Sequence, residues 1–335
     1  MTAVELDAHA VLFPICNSTE VVDWLEQFLR AGGRSFLMAS STEEYAARRV
    51  SEERSDSETA VKIASFVEAA QAVATGPLLV SADAEPTGVE RLEHLLPPIP
   101  DREALRGLTA EGLSQVFTEY GQAARELGVA LFLGPVVDNV WGRNEWLAGR
   151  TLADSNEEIT RIASAYVRSV QATGVSTMAK HFPGHPDLAK NPVYDDVNLT
   201  VSAADVEQGI APFRALIEAG VDSVMVGPVT VETIDPVNPA ATSPTLIGLL
   251  REDLGFDRLV VSDDLDAAST MKGRSLGQVA VDSIAAGVDL LLIPGGAENV
   301  EECANALFVA VDSGELSGSK LAAAADRVRA LAASK

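Results

Sequence analysis

Acidic side chains and one Lys-His pair stand directly after several short apolar runs of the chain. They are Asp83, Asp138, Lys180, His181, Asp263 and Asp264, after runs near 77–82, 130–136, 175–180 and 258–262. Carboxylates gathered from several such points serve two chemistries: they bind a metal ion, or they act as nucleophile and acid–base groups on sugars. Metal-dependent hydrolases also bring several histidines, and only His181 and His185 of the four lie near this set. The residue types therefore favour sugar chemistry without a metal ion or another cofactor.

Short apolar runs alternate with amphipathic segments along the whole chain. The runs are too short for helices and show little alternation, which is typical of parallel strands buried on both faces. Strands are predicted near 11–16, 35–40, 77–82, 130–136, 175–180, 222–227, 258–262 and 288–293. Helices are predicted near 20–31, 57–74, 110–127, 156–172, 203–218, 244–253, 274–285, 298–312 and 317–333.

Eight strand–helix units predict one (β/α)8 barrel spanning residues 1–335 as a single domain, with a doubly wound open sheet as the alternative. In a barrel, groups that follow the strands meet at one mouth, so the polar set above is expected to form one site. The polar segment 42–58 is predicted to be an insertion after the second strand. Residues 84–109 are predicted to form a long loop after the third.

Charge and composition exclude several function classes. The 25 basic and 49 acidic residues give a net charge of −24, which disfavours nucleic acids and anionic membranes as partners. Two cysteines, Cys16 and Cys303, are too few for a disulfide framework. No apolar run approaches the roughly 20 residues of a membrane span. The first ten residues carry acids and no Lys or Arg, unlike a signal peptide, so we expect a cytoplasmic protein with a small-molecule partner.

Two motifs carry a resemblance to a known family. Residues 180–185, KHFPGH, resemble a motif of the bacterial β-N-acetylhexosaminidases of glycoside hydrolase family 3. Residues 262–265, SDDL, resemble that family's nucleophile motif, and residues 80–85, VSADAE, are similar to its VDQEGG segment. The stretches 234–240 and 250–257 are also similar to the residues before the nucleophile. The resemblance covers roughly residues 75–300.

The resemblance implies a retaining glycosidase for β-N-acetylglucosaminides or a related small β-glycoside. It assigns Asp263 as the nucleophile. It assigns sugar binding in the cleavage subsite to Asp83, Arg91, Arg150, Lys180 and His181. Supporting positions beside these groups are expected for Asp138, Asp264 and His185, with Asp138 orienting Arg150 or Lys180.

One loop departs from the family. There, the loop after KHFPGH carries Asp-Ser-His, whose histidine is the general acid–base, whereas residues 186–197 hold no histidine. Tyr194-Asp195-Asp196 is the nearest match, so Asp196 or Asp195 is predicted to replace it. The family's Gly-Gly-Arg after the acidic pair is also changed, to Pro86-Thr87-Gly88. Two alternatives stay open: an enzyme that cleaves only activated glycosides, or a catalytically silent sugar-binding barrel.

Two further chemistries compete with the sugar interpretation. Lys180 would form a Schiff base in an aldolase-like lyase, provided that an apolar setting lowers its pKa. Gly295-Gly296 before a helix resembles a phosphate-binding turn of the kind that barrels carry after their last strands.

Overall fold

A parallel sheet closed into a barrel organises the chain in the computed structural model, which describes residues 1–335. The strands are β1 Leu12–Cys16, β2 Ser35–Met38, β3 Leu79–Asp83, β4 Leu131–Leu133, β5 Ser176–Phe182, β6 Asn198–Leu199, β7 Ser223–Val226, β8 Thr230–Val231, β9 Leu259–Ser262 and β10 Leu291–Ile293. Eight of them pair in parallel in the order β10-β1-β2-β3-β4-β5-β7-β9. A bridge between Val261 and Leu290 joins β9 to β10 and closes the ring. The predicted barrel is therefore confirmed, and the open-sheet alternative is wrong.

Helices surround the barrel. They are α1 Ala3–Ala10, α2 Asp23–Arg30, α3 Thr42–Ala47, α4 Glu52–Ser57, α5 Ala60–Val73, α6 Arg102–Gly107, α7 Ala110–Glu126, α8 Asn156–Ala172, α9 Ala203–Glu218, α10 Pro244–Gly248, α11 Ala268–Met271, α12 Leu276–Ala286, α13 Ala297–Ser313 and α14 Gly318–Ala333. The predicted helices are all present, and the last turns of the one predicted at 244–253 form a π-helix, Leu249–Asp253. The short helices α1, α3, α4, α6 and α11 are not predicted, because they have too few turns for a periodic pattern.

Side-chain alternation along the strands decides which residues reach the mouth of the barrel. Leu259 and Val261 belong to a cluster of 15 buried residues inside the barrel. Successive inward positions are two residues apart, so Asp263 takes the next one, just beyond the end of β9. Met178 and Lys180 stand in the same relation on β5. The interior is thus packed with apolar side chains below a layer of charged ones.

The polar segment 42–58 folds as α3 and α4 beside the mouth. Its buried Glu44 accepts hydrogen bonds from Arg54 Nε at 2.8 and 2.9 Å, and Arg54 also pairs with Glu58 at 3.3 Å. Glu58 in turn accepts two hydrogen bonds from Arg91, at 2.7 and 2.8 Å. This chain of buried ion pairs anchors the segment to the loop after β3.

Candidate active site

A cavity of about 440 Å³ opens at the carboxyl ends of the strands. Its wall includes Asp83, Lys180, His181, Asp263 and Asp264 from the polar set that follows the strands, and Arg150, which the resemblance assigns to sugar binding. Side chains of the 42–58 segment and of the loop 186–197 complete the wall. The cavity therefore combines charged groups from several strand ends with two long loops.

Asp83, Glu85, Arg150 and Lys180 form a buried charged cluster beside the cavity. Arg150 donates to Glu85 from Nε at 2.9 Å and from Nη2 at 2.6 Å. Lys180 Nζ lies 2.7 Å from Glu85 and 3.1 Å from Asp83. Two cations and two carboxylates thus balance each other within a space from which water is largely excluded.

The cluster shifts the pKa values of its members. Burial acts to raise the pKa of Glu85, but Arg150 and Lys180 outweigh it and hold that pKa well below its usual range. For Asp83, burial outweighs the attraction of Lys180, so its pKa is raised. Burial would lower the pKa of Lys180, yet Glu85 and Asp83 raise it above the ordinary lysine value. Lys180 is thus held protonated between two carboxylates, and a protonated lysine is a poor nucleophile, which disfavours the Schiff-base lyase interpretation.

Glu85 is not among the catalytic or sugar-binding residues expected from the sequence. It is fully buried and is the shared partner of both cations. A Cβ atom on Gly88 would lie 2.0 Å from Glu85 Oε2, so the glycine leaves room for the carboxylate. The sequence signal for Glu85 is its place in the motif VSADAE, two residues after Asp83.

Asp138 holds two histidines in place. Its Oδ2 accepts hydrogen bonds from the backbone N–H of His181 at 2.8 Å and from Nδ1 of the same residue at 2.9 Å. Its Oδ1 lies 2.9 Å from both the backbone nitrogen and Nδ1 of His185. Burial raises a carboxyl pKa, but these donors hold the pKa of Asp138 well below its usual range. The expectation that Asp138 orients Arg150 or Lys180 is thus wrong, because it orients the two histidines.

His181 lines the cavity in a fixed orientation. Burial lowers its pKa more than Asp138 raises it, so the ring is neutral at neutral pH. With Nδ1–H directed at the carboxylate, Nε2 is left as an acceptor. Trp146 packs on this ring at 4.5 Å between centroids, and its own ring lies 5.6 Å from the Arg150 guanidinium. The aromatic wall that Trp146 provides is a second feature not predicted from sequence.

Asp263 and Asp264 follow β9 at the mouth. The Asp264 backbone N–H donates to Asp263 Oδ1 at 2.8 Å, whereas Asp263 Oδ2 is enclosed and has no hydrogen-bond partner. Both residues line the cavity, so Asp264 is part of the wall itself rather than a support behind it. Burial, together with the charges of Asp263, Asp266 and Asp83, raises the pKa of Asp264 well above the usual range.

The loop 186–197 reaches the cavity through Asn191, Val193 and Tyr194 only. Asp195 forms an exposed ion pair with Lys190, and Asp196 pairs with Lys272, each at 2.7 Å. Neither carboxylate lines the cavity, so the geometry gives no support to the prediction that Asp196 or Asp195 is the general acid–base. The sequence match placed them by order along the chain, whereas the loop turns them toward lysines outside the site.

Substituting Asp195 or Asp196 by alanine should leave turnover within about twofold of the wild type, because exposed ion pairs contribute little. Steady-state kinetics with an aryl N-acetyl-β-glucosaminide measures this. Glu232→Ala, on another exposed carboxylate, is the matched control. A loss above tenfold in either aspartate variant would show that the substituted aspartate is the general acid–base after all.

Arg91 also lies outside the cavity. Its guanidinium is buried against Glu58 and donates from Nε to the Ala39 carbonyl at 2.9 Å. Its donors are directed at the protein, so the assignment of Arg91 to sugar binding is wrong. It anchors the 42–58 segment, which instead presents Tyr45 to the cavity. The Tyr45 ring lies 5.8 Å from the Arg150 guanidinium.

Other binding chemistries have less support in the structure. No group of three or more His, Cys, Asp or Glu side chains is arranged to hold a metal ion. A Cβ atom on Gly295 would lie 1.9 Å from the Ile15 carbonyl, so close packing accounts for this glycine without a phosphate. None of the helices is both long and apolar enough to span a bilayer.

Comparison with known proteins agrees with this geometry. The chain is 30% identical to a β-hexosaminidase of Stenotrophomonas maltophilia, over 67% of this chain and 69% of that one. A β-N-acetylglucosaminidase structure from Paenibacillus, at 26% identity, superposes with a TM-score of 0.89 over 100% of this chain and 63% of that one. A β-N-acetylhexosaminidase from Beutenbergia cavernae shares the fold, with 24% identity, a TM-score of 0.85 and 99% of both chains covered.

The N-terminal domain of glycosyl hydrolase family 3 matches residues 45–331. That range includes all of the barrel strands except β1 and β2, and it includes every charged residue that lines the cavity. The chain therefore belongs to glycosyl hydrolase family 3, a family of glycosidases.

Proposed function

We propose that this protein is a retaining glycoside hydrolase that acts on β-N-acetylglucosaminides or closely related small β-glycosides. The observation that carries the proposal is Asp263, which keeps an unpartnered Oδ2 in the wall of a cavity lined by groups suited to sugar hydroxyls. The names of its relatives, β-hexosaminidase and β-N-acetylglucosaminidase, supply the substrate class.

The first step would be attack of Asp263 Oδ2 on the anomeric carbon. The hydrogen bond from the Asp264 backbone N–H to Oδ1 orients the carboxylate. Asp83 and Lys180 lie where ring hydroxyls would exchange hydrogen bonds with charged groups, which are stronger than those between neutral groups. His181 would add an acceptor through Nε2. Sugar binding and nucleophilic attack would thus be carried out by different residues of the same cavity.

A mechanism-based label tests the proposal directly. A 2,4-dinitrophenyl 2-deoxy-2-fluoro-β-glycoside forms a slowly hydrolysed ester with the nucleophile of a retaining enzyme. We expect mass spectrometry to show one added glycosyl group, and peptide mapping to place it on Asp263. A label on Asp264 would show that the neighbouring carboxylate is the nucleophile.

A sugar-binding protein without turnover is the second candidate. It is favoured by one observation: the loop 186–197 brings no carboxylate or imidazole to the cavity. Binding of N-acetylglucosamine by calorimetry, with no release of 2,4-dinitrophenol and no covalent label, would establish this alternative. Release from the dinitrophenyl glycoside alone, with no cleavage of alkyl glycosides, would indicate the intermediate case of an enzyme without a general acid.

A further inference from the structure

Three cationic side chains line the cavity, and they differ in how their charges are balanced. Arg150 and Lys180 are ion-paired with Glu85 at 2.6 and 2.7 Å, so both are neutralised within the protein. Arg48, from the 42–58 segment, is half-buried in the same wall, and its side chain forms no hydrogen bond or ion pair. It is therefore the cation of the wall whose charge is left for a bound molecule.

The Arg48 guanidinium has a defined position. A Cβ atom on Gly149 would lie 2.5 Å from Arg48 Nη1, so the guanidinium packs against the backbone of the loop after β4. The Tyr45 ring, on the same helix, lies 5.8 Å from the guanidinium of Arg150, the residue after Gly149. Two side chains at the end of α3 thus hold that helix against this loop. Glu145 of the loop is exposed and is not ion-paired with Arg48.

The backbone of Arg48 adopts a conformation that favours glycine. Arg48 ends α3 in the left-handed region, with φ 52° and ψ 39°, where helices most often have glycine. A residue with a side chain is strained there, and such strain is found mainly at functional sites. The ion pairs through Glu44, Arg54 and Glu58 hold the surrounding segment in place. An arginine at this position is therefore explained by its side chain rather than by the backbone.

Arg48 lies at the side of the mouth farthest from Asp263. In the closed ring of eight strands, β3 is four places from β9 in either direction, so it is directly opposite the strand that Asp263 follows. The loop after β4 folds over the end of β3, because Arg150 bonds to Glu85 and accepts a hydrogen bond at its carbonyl from Thr87 Oγ1 at 2.9 Å. Arg48 closes that side from the loop after β2.

The position of Asp263 decides which end of a bound sugar meets Arg48. In the proposed reaction the anomeric carbon lies at Asp263 Oδ2. The sugar ring then extends across the mouth toward β3, so C4 and the exocyclic C6, which lie farthest from the anomeric carbon, point to Arg48. C6 is a position at which hexoses carry a phosphate ester or are oxidised to a carboxylate. A guanidinium recognises both anions through paired, charge-assisted hydrogen bonds.

We propose that Arg48 is a specificity-determining residue that selects glycosides with an anionic group, a phosphate ester or a carboxylate, on C6 of the sugar that is transferred to Asp263. This inference rests on the proposed retaining glycosidase and deepens it by naming the substrate class. Arg48 is remote from the reacting atoms, so its ion pair with the substrate is equally strong in the bound and transition states. Such an interaction acts mainly on KM.

The test measures selectivity with three glycosides that share one leaving group. They are 4-nitrophenyl N-acetyl-β-glucosaminide, its 6-phosphate, and the analogue in which C6 is a carboxylate. We expect kcat/KM of the wild type to be about 10–100-fold higher for one of the anionic glycosides than for the neutral one, the scale of a hydrogen bond to a charged group. The anion with the higher value identifies the source of the charge as phosphate or carboxylate.

Substitutions of Arg48 should change this ratio in a graded way. Arg48→Gln should bring it close to one, mainly through KM, and Arg48→Lys, which retains the charge, should recover part of it. Arg48→Gly, which suits the left-handed backbone, should lose the selectivity and remain folded in thermal unfolding. Arg49→Gln is the matched control and should keep the full ratio, because Arg49 is exposed and does not line the cavity.

An anion on the leaving group is another source of the same charge. A glycoside with a carboxylated nitrophenyl group tests it, and a preference for that substrate alone, dependent on Arg48, would overturn the placement at C6. A ratio close to one in the wild type, or a ratio that Arg48→Gln leaves unchanged, would overturn the selection of charge by Arg48.

Direct binding separates this inference from the proposed function, because calorimetry with N-acetylglucosamine, its 6-phosphate and the corresponding uronic acid needs no turnover. If Asp263 is labelled but neither binding nor kinetics favours an anionic sugar, the inference is overturned and the proposed function stands. If no substrate is cleaved and no label forms, the proposed function is overturned. Tighter binding of an anionic sugar, lost in Arg48→Gln, would even then support the role of Arg48.

Discussion

Asp263→Ala is expected to lower kcat for an aryl N-acetyl-β-glucosaminide by about 10⁴-fold or more, the scale of losing a covalent nucleophile. The fold should survive, because Oδ2 has no partner in the protein and Oδ1 accepts only the neighbouring backbone N–H. Stopped-flow and steady-state assays of nitrophenol release measure the loss, and thermal unfolding verifies the fold.

Azide distinguishes this variant from one that lacks the acid. In Asp263→Ala the space of the carboxylate is open, so azide attacks the bound β-glycoside from the nucleophile's side and gives the α-glycosyl azide. A retaining enzyme that keeps its nucleophile and lacks only its acid–base group would instead give the β-glycosyl azide. Asp257→Ala, an exposed aspartate at the opposite end of β9, is the matched control and should retain full activity. A residual activity above one tenth of the wild type, without azide, would contradict the nucleophile assignment.

Glu85→Ala is expected to lower the free energy of unfolding by about 3–5 kcal/mol, the cost of leaving buried charges without their partner. Glu85 is fully buried and is the shared carboxylate of Arg150 and Lys180, at 2.6 and 2.7 Å. Asp83 remains near Lys180 in the variant, but Arg150 would lose its ion-pair partner. Urea unfolding, followed by circular dichroism, measures the change.

The pH dependence of this stabilisation has a defined sign. The pKa of Glu85 is lower in the folded protein than in the unfolded chain, so its contribution is complete above the ordinary glutamate pKa. It is lost as pH falls through the folded-state pKa. The difference between wild type and Glu85→Ala should therefore be constant at neutral pH and decrease in strong acid.

Glu26→Ala is the matched control, because Glu26 pairs with Arg30 at the surface with 40% and 61% of the two side chains exposed. That change should cost no more than about 0.5 kcal/mol. Arg150→Met combined with Glu85→Ala should be less destabilising than the sum of the two single variants, because it removes one of the orphaned cations. Additive effects would contradict the shared-carboxylate arrangement.

The sequence alone determined the barrel fold and the side chains that point inward at its mouth. Short apolar runs separated by amphipathic helices admit few architectures, and the two-residue alternation along a strand specifies which side chains face inward. Asp83, Lys180 and Asp263 could therefore be assigned to one mouth from their positions along the chain. These inferences depend on the local periodicity of apolar residues, which can be read directly from the sequence.

Only the tertiary structure decided which loop residues enter the cavity. Asp195, Asp196 and Arg91 had suitable chemistry at suitable places along the chain, yet each is turned away by an ion-pair partner: Lys190, Lys272 or Glu58. Glu85 and Tyr45 join the site through contacts between segments that are far apart along the chain. The direction of a loop side chain is set by such packing and ion pairing, for which the sequence has no periodic signal.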